Sequence, residues 1–245
     1  DMQRLVHLLG LQDASEAMSI HNSVDTQSEI YDIISKYYDD SVVDQILNSY
    51  SGMQTRASNK KVYNLNLSAV KQATSYWCGP ASAYMVVAKV ICGTDASQAK
   101  MASLMDTDAN GTYLSNIPNG LNPYMPNTYK YYQTDGSNST AEAIKMTNSA
   151  IGTLSSGYGV VYDTVQRARG SARLVGYYNL TRDVYHYIAG EGYDITDASN
   201  RKCYYVDPHN TRTEAYGHHT IAFRTLCTLM SDENGTSPLG LGLVF

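Results

Sequence analysis

Cys78 stands just ahead of the apolar run Ala81 to Ile91, within Gln72-Ala73-Thr74-Ser75-Tyr76-Trp77-Cys78-Gly79-Pro80. The free N–H groups and partial positive charge of a helix N-terminus stabilise a thiolate, and the thiolate is the nucleophilic form of cysteine. Acyl chemistry at such a thiol needs three further parts: a base, a group that fixes the base, and donors for the oxyanion. Of the six histidines, His186 is the best base. It lies inside Val184-Tyr185-His186-Tyr187-Ile188-Ala189-Gly190, a run of strand formers that holds a side chain rigidly. Asp207 closes Tyr204-Tyr205-Val206-Asp207-Pro208, at the end of the next strand. Adjacent antiparallel strands can set His186 and Asp207 side by side, with the carboxylate accepting from the imidazole. The Gln72 side-chain amide and the Cys78 backbone N–H are the candidate oxyanion donors, and Trp77 and Gly79 are candidates for substrate contact.

Each residue also has a plainer reading. A cysteine beside a tryptophan is usually a packed core thiol. A strand histidine is usually a satisfied structural residue, and an aspartate before proline usually forms a turn. Gln72 has weight only through its spacing from Cys78. The chemistry rests on all four occurring together and in this order.

The elements that must position them follow from apolar spacing. Residues 1–58 read as helical: Leu5, Leu8 and Leu9 share a face, and Thr26-Gln27-Ser28-Glu29 forms a capping box ahead of the stripe Ile30, Ile33, Ile34 and Tyr37. A second stripe runs through Val42, Val43, Ile46, Leu47 and Tyr50. Residues 51–61 are polar, and Arg56, Lys60 and Lys61 make them either a solvated linker or a site for a trypsin-like processing protease. Val62 to Leu67 alternates like a half-buried strand. A helix is expected from Cys78 to about Cys92 with Gly93 as its stop, another from Ser97 to Met105, and a third from Thr140 to Ser149, packing through Ala141, Ala143 and Ile144. Residues 106–139, rich in Asn, Gly, Pro and Tyr, read as mostly loop. Gly159 to Asp163, Val184 to Ile195 and Cys203 to Val206 read as strands. Helices first and an antiparallel sheet after predict an α+β fold, with residues 1–58 as an N-terminal helical segment and 59–245 as the main domain.

Composition narrows the function. A net charge of −5 over 245 residues argues against nucleic acid. No apolar run approaches the ~18 residues that span a bilayer. Four cysteines, Cys78, Cys92, Cys203 and Cys227, form no CxxC pair and no zinc ribbon. One bridge, such as Cys203 to Cys227, is compatible with a free Cys78. Twenty-two tyrosines against two phenylalanines suit half-exposed surfaces and grooves. The polar, lysine-poor composition has an extracellular flavour, so a secreted or cell-surface location is expected, with any targeting segment not visible in this sequence. Asp106-Thr107-Asp108-Ala109-Asn110-Gly111 matches the first half of a calcium loop, but Ile117 stands where a bidentate glutamate belongs. Asp106, Asp108 and Asn110 are therefore a weak metal candidate, and an Asx-rich turn is preferred. His209, His218 and His219 with Asp207 match no closed zinc spacing, so the histidines read as surface residues or as neighbours of the sheet that carries His186.

Gln72, Trp77-Cys78-Gly79-Pro80-Ala81, His186-Tyr187-Ile188, Gly192-Tyr193-Asp194 and Tyr204-Tyr205-Val206-Asp207-Pro208 together resemble the papain-like C39-type cysteine peptidases. The likeness is to the stand-alone secreted C39-like group rather than to the peptidase domains of bacterial bacteriocin exporters. It covers about residues 62–230. It implies a papain-like fold, with a helical half carrying the cysteine and a sheet half carrying histidine and aspartate. It also implies Cys78 as nucleophile, His186 as base, Asp207 as orienting residue and Gln72 as oxyanion donor. No cofactor is implied, and the partner is a peptide or protein substrate. Residues 1–58 have no counterpart in the resemblance and are read either as a pro-segment removed near Arg56 to Lys61 or as a regulatory extension. Two other readings use the same residues: a thiol acyltransferase passing the acyl group to an amine or thiol, and a catalytically silent peptide-binding module.

Overall fold

The computed structural model describes residues 61–90, 95–125, 129–231 and 241–245. The helical reading of residues 1–58, most of the basic stretch from Arg56 to Lys61, and Cys92 and Gly93 lie outside the described residues.

The described chain mixes helices with an antiparallel sheet, an α+β arrangement. Strand β1 (Val62–Asn64) precedes helix α1 (Cys78–Val90), α2 (Gln98–Leu104), a 3-10 turn (Leu114–Asn116) and α3 (Ile117–Leu121). Then come β2 (Tyr131–Gln133), α4 (Thr140–Ser155), β3 (Val160–Gln166), β4 (Val184–Asp194), β5 (Lys202–Asp207), β6 (Gly217–Ala222), α5 (Phe223–Leu229) and β7 (Gly242–Val244). The sheet order is β2-β7-β3-β4-β5-β6, with β1 also paired to β4. β4 is long enough to hold β3 against its first half and β1 against its second, while β5 takes the opposite edge.

Every residue of β3 is buried, so both faces of the sheet are covered there. This explains why Val160-Val161-Tyr162 shows no alternation: a strand buried on both sides has no polar face. Helix α1 packs on β3 and β4, and Val86 of α1 meets Gly159 just ahead of β3. Ala81, Ala83, Met85, Val86 and Val87 of α1 are buried, and burial of side chains of this size contributes about 1.5–3 kcal/mol for each large one. This packing fixes the end of α1 that begins with Cys78. No described helix is long and apolar enough to cross a membrane.

Several expectations shift. The strand expected over Val62 to Leu67 pairs only through Asn64, because Asn66 takes a left-handed backbone (φ 52°) that ends the ladder. The α2 helix lies within the expected range, capped by the Ser97 side chain on Lys100 N–H. Helix α4 runs on to Ser155, since Ala143, Met146, Thr147, Ala150 and Leu154 continue one buried stripe. The phase of that stripe turns Ala141 and Ile144 outward, and Ile144 is 53% exposed instead of packed. The tract 106–139 is mostly loop, as expected, but it also holds the 3-10 turn, α3 and β2, and its Leu114, Ile117 and Leu121 are core residues. Strands β2, β6 and β7 and helix α5 carried no clear sequence signal. Cys203 and Cys227 form no bridge. Both are free thiols, with Cys203 Sγ on the Tyr162 hydroxyl at 3.6 Å and Cys227 Sγ on the Ala143 carbonyl at 3.7 Å.

The register of β4 slips between Gly190 and Gly192, and this bulge re-aims the second half of the strand toward β1. A Cβ on Gly192 would overlap the Tyr63 carbonyl of β1. Gly192→Ala is expected to cost about 1–3 kcal/mol, lowering the melting temperature by roughly 2–10 °C, as thermal unfolding by circular dichroism would measure.

Candidate active site

The pairing of β4 with β5 decides where His186 and Asp207 meet. Ala189 lies opposite Val206, so one step further along the ladder Asp207 falls beside Ile188. His186 is two residues from Ile188 and therefore on the same face, a diagonal neighbour within reach of a ring and a carboxylate. His186 Nε2 donates to Asp207 Oδ1 at 2.8 Å, with the two side chains 4% and 0% exposed. The same oxygen accepts the His209 backbone N–H at 2.8 Å. Burial alone would lower the His186 pKa, but the charge and hydrogen bond of Asp207, helped by Cys78, outweigh it and raise it to about 10. Removing one member of a buried pair costs about 3–5 kcal/mol, because the other charge is left uncompensated.

Cys78 is the first residue of α1, and the Trp77 carbonyl accepts the first helical bond from Ala81 N–H at 2.9 Å. The amides at the start of α1 have no carbonyl partner within the helix. The thiol is partly exposed, unlike Cys203 and Cys227. Burial raises its pKa, yet the hydrogen bond and charge of His186, with the Tyr187 and Gly79 backbone N–H groups, bring it below the ordinary thiol value. Tyr187 lies beyond the last β4–β5 pair, so its N–H is free of β5 and reaches the sulfur. With Nε2 held by Asp207, Nδ1 is the His186 nitrogen left for the thiol. Cys78, His186 and Asp207 therefore come together in one chain of contacts.

Gln72 is buried, 4% exposed, and sits at the β5 end of the site: its backbone N–H donates to the Pro208 carbonyl at 2.7 Å. Its side-chain Nε2 donates to the Thr74 carbonyl at 2.7 Å. A primary amide carries two N–H bonds, so this contact orients the group and leaves one donor. Trp77 is half-buried, with Tyr76 edge-on to it at 6.5 Å. Gly79 is buried, and a Cβ there would meet Thr112 Oγ1 at 3.0 Å and Ile117 Cδ1 at 3.2 Å. Its α-carbon thus faces the 106–121 segment, which leaves only its backbone amide for the site.

Asp106, Asp108 and Asn110 make a tight turn. Asp108 and Gly111 exchange backbone bonds at 3.1 Å, and the Asp108 carboxylate accepts the Asn110 backbone and side-chain N–H groups. These are the contacts of an Asx turn. Among the described residues, no three His, Cys, Asp or Glu side chains are grouped to hold a metal ion. His218 instead pairs with buried Glu191 at 2.9 Å, and His219 donates to the Ala215 carbonyl at 2.7 Å.

Tyr177, Arg212 and Asp163 carried no sequence signal as site residues, and His209 had only its reading as a surface residue or a neighbour of the sheet. Tyr177 and His209 pack their rings on His186, with all three centroids 5.5–5.7 Å apart. His209 Nδ1 accepts the backbone N–H groups of Thr211 and Arg212 at 3.2 and 3.1 Å, which leaves the proton on Nε2. Burial and the nearby His186 charge push its pKa down to about 4, so it is neutral at pH 7. Arg212 stacks over Tyr177 at 5.3 Å. The Tyr177 hydroxyl and Asp207 Oδ2 are both buried without a hydrogen-bond partner, and burial followed by the Asp207 charge raises the Tyr177 pKa. Asp163 of β3 lies opposite Tyr187 of β4, and both interact with Cys78, Asp163 through charge and Tyr187 through its backbone N–H.

Comparison with known proteins adds one finding. A family model described as the Peptidase_C39 like family matches residues 64–226, about two thirds of the chain. No curated protein matches.

The three described thiols differ sharply in environment. Burial pushes Cys203 up to about 12 and Cys227 to about 11, whereas Cys78 lies below its ordinary value. In the native protein at pH 7, iodoacetamide is expected to label Cys78 and to leave Cys203 and Cys227 unmodified, as peptide mapping by mass spectrometry would read out. Labelling of all three at similar rates would contradict the site geometry.

Proposed function

The chain belongs to the Peptidase_C39-like family, and from that premise we propose that it is a papain-like cysteine endopeptidase with Cys78, His186, Asp207 and Gln72 as its working residues. The observation that carries this reading is the buried 2.8 Å contact between His186 and Asp207, beside a thiol at the first position of a helix.

In the reaction, the Cys78 thiolate adds to the carbonyl carbon of a peptide bond, and the carbonyl π pair moves onto oxygen. The Cys78 backbone N–H and the second Nε2 hydrogen of Gln72 receive that oxyanion. As the oxyanion collapses, the C–N bond breaks, and His186 gives its proton to the leaving amine. The thioester is then hydrolysed. His186, now neutral, takes a proton from water, the hydroxide adds to the acyl carbon, and thiolate leaves while imidazolium re-forms. Asp207 keeps Nε2 protonated and the ring in place throughout, as the third member of such triads does. The ring contacts of Tyr177 and His209 support the same orientation.

The working form is the thiolate–imidazolium pair. It is populated above the lowered Cys78 pKa and lost as His186 deprotonates near pH 10. Hydrolysis rate against pH is therefore expected to rise through the Cys78 titration, level off, and fall toward pH 10. Cys78→Ala should abolish hydrolysis in a peptide-library digest. Asp207→Asn should move the alkaline limb to lower pH, because burial then acts on His186 without the opposing charge, and should slow kcat/KM by about 10² or more. A Cys78→Ala protein that cuts the same peptides would overturn the proposal.

Residues 1–58 enter this reading as a segment that keeps substrate from the groove until the chain is cut between Arg56 and Lys61. Limited trypsin treatment is expected to increase hydrolysis of a short peptide. Equal rates before and after the cut would remove autoinhibition from the proposal.

A further inference from the structure

Asp163 is a carboxyl group in the middle of the sheet, and among the described residues no side chain forms an ion pair with it. It is 1% exposed, and its Oδ2 is buried without a hydrogen-bond partner. Leaving a buried carboxylate in that state would be costly. Its place in the sheet tells which way it faces. Asp163 is four residues on from Gly159, which meets Val86 of α1, so the alternation of β3 turns Asp163 to the α1 side. Tyr187 is its direct partner across the ladder, on the same face, and the β7 residue on the other flank is Gly242, which brings no side chain.

The Tyr187 hydroxyl donates its single proton to the Thr112 carbonyl at 2.9 Å. Its oxygen can then only accept. Thr112 is in turn held by Thr107, hydroxyl to hydroxyl at 2.7 Å, and its side chain forms the wall against which Gly79 is packed. Gly79 is the second residue of the helix that begins with Cys78. Sheet, tyrosine, threonine and the first turn of α1 are thus in line.

We propose that Asp163 is a positioning residue for the peptidase reaction: its carboxyl donates a hydrogen bond to the Tyr187 hydroxyl, which donates to the Thr112 carbonyl and so seats the first turn of the nucleophile helix. The inference rests on the reading of Cys78 as nucleophile. A carboxylate has no proton to give, so the line of donors closes only if Asp163 is a carboxylic acid. The surroundings favour that form. Burial first, then the charge of Cys78, push the Asp163 pKa well above the usual carboxylate range, against the opposing influence of Tyr187 and His186. The titratable groups that act on it are Cys78 of α1 and Tyr187 of β4 on its own face, and His186 from the other face of β4 through its charge. A neutral Asp163 also spares the thiolate a like charge.

The test compares Asp163→Asn, Asp163→Leu and Tyr187→Phe with the unaltered chain, using two readouts: the pH midpoint of Cys78 alkylation by iodoacetamide, and kcat/KM on a cleaved peptide. Asparagine keeps a neutral donor of the same shape, so Asp163→Asn should leave the alkylation midpoint in place and recover most of the activity that Asp163→Leu loses. Asp163→Leu and Tyr187→Phe should each lower kcat/KM by about tenfold or more, the scale of a small misplacement of a reacting group. Combining Asp163→Asn with Tyr187→Phe should be no worse than Tyr187→Phe alone. If Asp163→Leu does not fold, Tyr187→Phe carries that arm by itself. A midpoint that falls in Asp163→Asn would mean that the native group is ionised, and would overturn the proposal. So would native kcat/KM in Tyr187→Phe. Alkylation needs no peptide, so the two levels separate. An ordinary thiol rate at Cys78 in the unaltered chain overturns the nucleophile reading and this inference with it, whereas a reactive Cys78 indifferent to Asp163 and Tyr187 overturns this inference alone.

Discussion

An imidazolium cannot persist inside a protein without a carboxylate in contact, and the His186–Asp207 pair is the constraint around which this molecule is arranged. Burial alone would discharge the histidine. The contact reverses that tendency and pushes its pKa to about 10. The lowered thiol of Cys78 depends on it, because the charge that stabilises the thiolate is the one that Asp207 maintains. The surrounding packing serves the same contact: His209 N–H shares Asp207 Oδ1, and the rings of Tyr177 and His209 enclose His186.

The sheet supplies the geometry at low cost in precision. His186 and Asp207 need not be directly opposed. A diagonal across β4 and β5 is enough, and the ladder fixes it within a fraction of a residue. The early end of that ladder matters as much. Because β5 stops pairing before Tyr187, a backbone N–H on β4 is left for the sulfur. β3 is buried throughout, and Asp163 within it feels the charge of Cys78.

Much of this was legible in the sequence, for identifiable reasons. The strand character of residues 184–194 and 203–206 rests on long β-branched and aromatic runs, and the helix after Cys78 on an uninterrupted apolar stretch. The membership of the chain in a peptidase family was legible from the order of its Gln, Cys, His and Asp blocks. What was not legible depended on distant partners. β2 and β7 are three residues each, too short to show a period, and they exist because they pair with each other and with β3. Asp163 looked like the end of a strand, since an aspartate after Val-Val-Tyr reads as a terminator, yet the strand continues to Gln166. Ile144 looked like a packing residue because apolarity alone does not give helix phase. Cys78 stood out in the sequence by its place ahead of a helix, whereas the burial that raises the Cys203 and Cys227 thiols and the imidazole that lowers Cys78 come from distant parts of the chain.

The separation of these residues along the chain has a consequence for when reactivity can arise. His186 and Asp207 are near neighbours in sequence and can meet as soon as one hairpin forms. Cys78 joins them from more than a hundred residues away, and the sheet that holds them includes pairings of comparable span between β2 and β7. Contacts of such separation form late and slowly. Until they form, Cys78 is an ordinary thiol with an ordinary proton affinity. The low proton affinity of Cys78 is therefore a property of the completed fold, absent from any chain in which these distant contacts have not yet formed.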